Sequence, residues 1–434
     1  MSPEKPREIA IRVLRRWQNG TRFIENDLEE VLDQTRVQHA DRRLIQELAY
    51  GVVRWKSTLD WLIARKTDDR RQNSTVRLLF RLGLYQMFWL DRIPDHAIVH
   101  ETVEMTKRIG LRTRAGFVNA VLRACLREKT SIKQALEDLK PRQPAVGYSH
   151  PEWLYDRWCA RWGKEKAIQL MEWNNTPSRT YARVNTLRID HRQLLEKWRQ
   201  EAVQCEPFQR EWIEENLVFE LKATAGVPNL PSFQHGFFYI QDPSTLLAVE
   251  ELNPQPGEQI LDLCAAPGGK TTLIAQKMRN QGRIVASDAQ ANRLRLVQEN
   301  CARLGVSCVE NEHSTLDARP SALFDRILVD APCSNTGVMR RRVDLRWRIR
   351  PEEIERLRQT QIALLHSAAS RLKPNGSLVY STCSLEPGEN RAVVDQFLAE
   401  HPDFKLESER ELLPFVDAVD GAYVARLRRG GIRE

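Results

Sequence analysis

The chain has 434 residues, 41% hydrophobic and 29% charged, with a formal net charge of +8. That length predicts two or three domains with a substantial core, and the composition excludes collagen-like, low-complexity and disordered classes. No uncharged apolar run is long enough for a bilayer, and Met1-Ser2-Pro3-Glu4-Lys5-Pro6-Arg7 lacks the apolar core of a signal peptide. The cytoplasm is therefore the expected compartment, with no membrane partner, and the positive charge permits a polyanionic one.

The first part, to about Lys140, reads as helices only. Ala10, Val13, Leu14 and Trp17 keep i, i+3, i+4, i+7 spacing, and Gly20 can end that helix. Leu44, Leu48, Val52 and Trp55 continue the rhythm. The stretch from Val76 to Leu90 is apolar on nearly every side, which predicts the central helix of a bundle. Asp95 is an N-cap candidate for a helix from Ala97 to Ile109, and Val118, Val121, Leu122 and Cys125 line another apolar stripe. His96 and His100 stand at i, i+4, but zinc would need a further ligand, so capping or packing is the simpler reading. Arg12, Arg15 and Arg16 fit an RNA contact or, more commonly, a solvated helix face.

Lys140-Pro141-Arg142-Gln143-Pro144 reads as a linker, followed by helical stretches from Trp153 to Trp173. Beyond Pro177 the pattern becomes a strand (Thr180 to Ile189), a helix (His191 to Ala202), and extended segments at Leu217-Val218-Phe219 and Phe237-Phe238-Tyr239-Ile240. This predicts a small α+β module. Its arginines Arg179, Arg183 and Arg188 fit a nucleic-acid-facing sheet and an ordinary charged strand face equally well.

From Gln241 strands alternate with helices. Ile260, Leu261 and Leu263 lead into Cys264-Ala265-Ala266-Pro267-Gly268-Gly269-Lys270-Thr271 and then a helix. A strand, a glycine turn and a helix N-terminus let a ligand approach the backbone. Ile284-Val285-Ala286-Ser287-Asp288 is a second strand, ending in a carboxylate suited to ribose hydroxyls. Two further apolar segments each end in a cysteine, at Asp330-Ala331-Pro332-Cys333-Ser334 and Ser381-Thr382-Cys383-Ser384. Ligands in open parallel sheets bind beyond the carboxyl ends of strands, so these ends predict one pocket. The phosphate-binding loop that Gly269-Lys270-Thr271 invites needs glycine at 264, where this chain has Cys264, and G-x-G-x-x-G is also absent. Asp262, two residues before Cys264, suits a cationic ligand better than a triphosphate. The cysteines form no C-x-x-C pair and no compact cluster with histidine, so no disulfide framework and no metal is expected.

Taken together, Asp262 to Thr271, Asp330 to Ser334 and Ser381 to Ser384 resemble the motifs of S-adenosylmethionine-dependent RNA cytosine-C5 methyltransferases. The resemblance is nearest the bacterial RsmB (Sun/Fmu) type, which modifies 16S ribosomal RNA. Arg183-Val184-Asn185-Thr186-Leu187, Gln241-Asp242-Pro243-Ser244 and Thr336-Gly337-Val338-Met339-Arg340-Arg341 also match that type. Asp41-Arg42-Arg43, Tyr50-Gly51-Val52-Val53-Arg54 and Phe117 to Arg123 resemble its NusB-like RNA-binding domain. The implied architecture is multidomain: an all-α NusB-like domain (1–140), a small α+β module (141–235), and an α/β Rossmann-like class I methyltransferase domain (236–434).

The resemblance also implies roles. Cys383 is the nucleophile at carbon 6 of cytosine, Cys333 assists removal of the carbon 5 proton, and Asp330 meets the N3/N4 edge, with Lys270 near the base. Cys264, Ala265, Ala266, Pro267, Gly268, Gly269 and Lys270 cradle S-adenosylmethionine, with Asp288 on its ribose and Asp330 alongside. Where the family carries a third acid this chain reads Glu310-Asn311-Glu312-His313, and Asn311 is the candidate. A reachable base must be flipped out or lie in a loop. Arg340, Arg341, Arg346 and Trp347 are candidate RNA contacts, through phosphates and stacking, with Arg183 beside them. The expected partner is 16S ribosomal RNA or an early small-subunit particle, and the expected state a monomer. Two alternatives stay open: a DNA cytosine-C5 methyltransferase, in which Cys333 attacks, and an RNA-binding assembly factor without turnover.

Overall fold

Helical spacing governs the N-terminal residues, and in the computed structural model they are helical from Pro6 onward. The structure describes residues 5–35, 37–67, 72–222, 226–313 and 323–431. It divides into one unit of Met1–Thr176 with Met339–Arg348, and a second of Pro177–Val338 with Ile349–Glu434.

In the first unit the helix Ser74–Trp89 is central, with Val76 and every residue from Leu78 to Met87 buried. Gly51, on the helix His39–Arg54, allows close crossing, since a Cβ there would lie 2.0 Å from the Tyr85 ring. Ile9, Ala10, Val13, Leu14 and Trp17 bury the predicted face of Pro6–Asn19. The expected linker is instead the end of the helix Lys129–Arg142, and Pro141 sits in its last turn. There the proline gives up the bond that an N–H at this position would make to the Glu137 carbonyl, and the helix ends one residue later.

The second unit has two sheets. The smaller, ordered β2-β3-β1-β4, is antiparallel, with β1 Thr180–Val184, β2 Cys205–Pro207, β3 Val218–Leu221 and β4 Phe238–Ile240. The helix His191–Gln200 starts at a capping box, where Asp190 Oδ1 accepts from the Arg192 and Gln193 N–H groups at 2.8 and 3.0 Å. Its Trp198 is buried edge-on against Phe219 and Phe238, centroids 5.7 and 5.2 Å away.

The larger sheet comprises β5 Gln259–Leu263, β6 Arg283–Asp288, β7 Val309–His313, β8 Phe324–Asp330, β9 Leu372–Thr382, β10 Phe404–Leu412 and β11 Ala422–Arg429, in the order β10-β11-β9-β8-β5-β6-β7. β7, β6, β5, β8 and β9 run parallel, and β11 and then β10 add antiparallel. Leu261, Ile327, Val329, Leu378 and Tyr380 fill the core on one face. Ile260, Leu328 and Val379 fill the other, continuous with Tyr181, Trp198 and Phe238 of the small sheet. Burial on both faces explains why these strands read as unbroken apolar runs. The chain builds outward from β5 to β7 and then resumes on the opposite side of β5 with β8, which makes β5/β8 the switch point of the sheet.

Candidate active site

β5 passes into a tight turn in which Cys264 has φ 62° and Gly268 φ 99°. At Gly268 a Cβ would also come within 3.2 Å of the Val297 backbone, so space and conformation both call for glycine. The helix Gly269–Lys277 follows, and its Thr271 hydroxyl donates to Asp262 Oδ2 at 2.6 Å. Asp262 Oδ1 is buried with no hydrogen-bond partner among the described residues. Burial pushes the Asp262 carboxyl up to about 7; the Thr271 hydrogen bond opposes this, and nearby Asp330 adds to it. The Cys264 thiol is pushed up to about 12, by burial first and then by the carboxylates of Asp330, Asp288 and Asp262. It is therefore a poor nucleophile.

Asp288, at the end of β6, is buried and accepts from the Gln290 N–H at 3.0 Å and from Arg293 at 3.2 Å. Arg293 also donates to Ala266 O at 2.9 Å, which ties this acid to the glycine turn. In β7, Glu310 pairs with Arg283 at 2.7 Å and Glu312 with Arg371 at 3.1 Å. Asn311 between them donates to Leu294 O at 3.0 Å.

The ends of β8 and β9 bring the remaining candidates together. Cys333 Sγ and Cys383 Sγ are 3.4 Å apart. Cys383 donates to Asn335 Oδ1 at 3.0 Å, and Asn335 Nδ2 returns a bond to Cys333 O at 2.7 Å. Asp330 Oδ1 accepts from the Ser381 hydroxyl at 2.9 Å and Oδ2 from Lys270 Nζ at 2.6 Å. Burial acts to lower the Lys270 pKa, but the Asp330 contact outweighs it and the net shift is upward. Cys333 is pushed well above the usual thiol range, by its hydrogen bond to Cys383 first and burial next. Two thiols at contact resist ionising together, which adds to the upward push on Cys333, and Cys383 is the more exposed of the pair.

Three stretches of the chain match known families. Residues 249–428 match the family described as 16S rRNA methyltransferase RsmB/F, residues 4–127 the NusB family, and residues 150–220 the ferredoxin-like domain of RsmF/B-like methyltransferases. A Bacillus subtilis (strain 168) protein named probable ribosomal RNA small subunit methyltransferase B is 34% identical over 99% of this chain and 100% of its own length. The chain belongs to the RsmB/F family. The ribosomal RNA small subunit methyltransferase B of Klebsiella pneumoniae subsp. pneumoniae is 36% identical over 91% of each chain. The crystal structure of PH0851 superposes with a TM-score of 0.80 at 24% identity, covering 98% of this chain and 99% of that one, which establishes the shared fold. A methyltransferase homolog from Pyrococcus horikoshii superposes with a TM-score of 0.58 at 33% identity, covering 68% of this chain and 99% of its own.

Within this RsmB/F chain the five expected RNA contacts are buried or half-buried. Arg346 is buried, donating to Ser149 O at 3.2 Å, Asn174 O at 3.1 Å and Asn175 Oδ1 at 2.8 Å. Arg340 is buried over the Trp173 ring, 4.1 Å from its centroid. Trp347 is half-buried and donates its indole N–H to Val53 O at 2.8 Å. Arg183 is buried, donating to Gln241, to Gly269 O at 2.8 Å and to Thr272 at 3.0 Å. In this conformation Arg346, Trp347 and Arg183 each spend donors on protein acceptors, and Arg340 lies over the Trp173 ring. Arg341 is half-buried. Among the described residues no helix is long and apolar enough to cross a membrane, and no group of three or more His, Cys, Asp or Glu could hold a metal ion. Sequence reading passed over Asn335 and gave Ser381, though part of the Cys383 motif, no role of its own. The left-handed φ of 57° at Asn335 is a turn signal that an Asn after Cys333-Ser334 does carry.

Proposed function

We propose that this chain transfers a methyl group from S-adenosylmethionine to carbon 5 of a cytidine in 16S ribosomal RNA. The observation that carries the reading is the 3.4 Å approach of Cys333 and Cys383 beside the Lys270–Asp330 pair. The residues at the glycine turn fit the donor: an orphaned buried carboxylate oxygen on Asp262, with two further acids in Asp288 and Asp330, favours ammonium and sulfonium groups over phosphates. Gly268, Gly269 and the backbone from Cys264 to Pro267 would cradle it, with Lys270 and Asp330 alongside, Asp288 on the ribose and Asn311 at the adenine edge. When bound, S-adenosylmethionine supplies an electrophilic methyl carbon.

The chain's own residues do the rest. Cys383 adds as thiolate to carbon 6, which makes carbon 5 nucleophilic enough to take the methyl group. Asp330, steadied by Lys270 and Ser381, holds the N3/N4 edge and stabilises the protonated ring. Once Cys383 is bonded to carbon its negative charge is gone, so Cys333 ionises more readily and can take the carbon 5 proton. Loss of that proton restores the double bond and expels Cys383. The substrate is 16S ribosomal RNA or an early small-subunit particle, with Arg341 a phosphate contact, the cytoplasm the compartment and a monomer the working state.

Cys333→Ala is expected to accumulate a covalent RNA–protein adduct on denaturing gels, whereas Cys383→Ala forms none. The opposite pattern would make Cys333 the nucleophile, as in DNA cytosine-C5 methyltransferases. Absence of S-adenosylmethionine binding by calorimetry would leave an assembly factor without turnover.

A further inference from the structure

Cys333 and Cys383 stand on strand ends 50 residues apart, and each is followed by a serine. Both serine hydroxyls, Ser334 and Ser384, donate to one oxygen, Oε2 of Glu389, with Ser384 at 2.5 Å. The two hydroxyls lie 3.0 Å from each other. The other oxygen, Oε1, accepts from the Ser334 backbone N–H at 2.8 Å and from Gln361 Nε2 at 3.1 Å. Gln361 in turn donates to Pro332 O at 2.9 Å, just ahead of Cys333. Glu389 is anchored to the strand carrying Cys383, because the Tyr380 hydroxyl donates to its carbonyl at 2.6 Å.

Glu389 is 0% exposed, and these four donors are all uncharged. A carboxylate taken out of water is costly unless both oxygens are filled. Here the filling groups come from both cysteine-bearing segments, so satisfying the carboxylate requires those segments to be side by side. Asn335 closes the other side, bonded to Cys333 O and Cys383 Sγ at 2.7 and 3.0 Å. The charge of Glu389 also adds to the upward push on Cys333, behind the Cys383 hydrogen bond, burial and the Cys383 charge.

We propose that Glu389 is a positioning residue that, through Ser334 and Ser384, clamps the two strand ends together and sets the separation of the sulfurs. The clamp rests on the reading of Cys333 and Cys383 as the reacting thiols, but the separation can be measured without any reaction on RNA. An amide is a poorer clamp: at Oε1 its NH2 would face two N–H donors, and at Oε2 both serine hydroxyls would have to turn round and accept, which exchanges charge-assisted bonds for weaker neutral ones.

Phenylarsine oxide condenses with two closely held thiols and releases water, so its capture by the full chain reports the sulfur separation, with Cys333→Ala as the blank. The parent protein is expected to capture one equivalent above the blank, and Glu389→Gln to bind it at least about tenfold more weakly. In parallel, kcat for methyl transfer should fall at least about tenfold while the RNA KM stays within about threefold. Ser334→Ala and Ser384→Ala should give intermediate losses, and adding Ser384→Ala to Glu389→Gln should cost nothing more, because both act through one carboxylate. If Glu389→Gln does not fold, Ser384→Ala decides by the same readouts. No capture by the parent, equal capture by Glu389→Gln, or a loss confined to RNA KM would overturn the clamp. Capture lost as expected in a chain whose parent never methylates RNA would leave the clamp standing and remove the methyltransfer reading instead.

Discussion

Asp262 holds one oxygen against Thr271 and leaves the other, buried, without a partner among the described residues. Its folded-state pKa, raised to about 7 chiefly by burial, lies above the ordinary 3.8, so the native state binds the extra proton between those limits. The stability this group contributes is therefore full below about pH 4 and is lost as pH rises toward 7, each unit of separation being worth about 1.4 kcal/mol. Asp262→Asn removes the titration. The variant should melt above the parent at pH 8 and at the same temperature at pH 4, followed by circular dichroism. A difference that ignores pH would mean the carboxyl is not the titrating group. The same variant should bind S-adenosylmethionine at least about tenfold more weakly by calorimetry, since an amide cannot neutralise an ammonium; stability gained at such a site is commonly paired with function lost.

At the scale of elements, the helix Gly269–Lys277 depends on the left-handed residue before it. Gly268→Ala would put a side chain at φ 99° and within 3.2 Å of the Val297 backbone. We expect about 2–4 kcal/mol of destabilisation in urea, with cofactor affinity falling further than stability because the cradle itself moves. A cost below about 1 kcal/mol would show that the turn relaxes freely. This turn, the helix Ser74–Trp89 and each of the two strands that end at a cysteine were legible in the sequence, because each is specified by residues adjacent along the chain. The partners of the arginines were not. Arg346 meets acceptors 171 to 197 residues away, so a basic run that folds inward looks locally like one that faces RNA. Glu389 escaped for the same reason, its Ser334 partner lying 55 residues back. Pro141 misled in the other direction: a proline in the last turn of a helix reads locally as a linker.

At the scale of the whole molecule, the helical unit is not one continuous stretch, because Met339–Arg348 completes it. Val343 enters its apolar core, and Asp344 Oδ2 accepts from the Trp17 indole N–H at 3.0 Å, the Ile24 N–H at 2.9 Å and Arg348 at 3.1 Å. Arg346 fills acceptors at Ser149, Asn174 and Asn175, and Trp347 one at Val53. A fragment of residues 1–176 keeps every helix preceding the small sheet but strands those donors and acceptors, each buried orphan costing about 1–3 kcal/mol. It should fold weakly. A peptide of residues 338–349 in excess should raise its melting temperature by roughly 5 °C or more, in proportion to the logarithm of peptide concentration. The same peptide carrying Asp344→Ala should have little effect, because it leaves the Trp17 and Ile24 donors empty. Identical melting with and without the peptide would mean that the helical unit is stable by itself and that the segment only rests upon it.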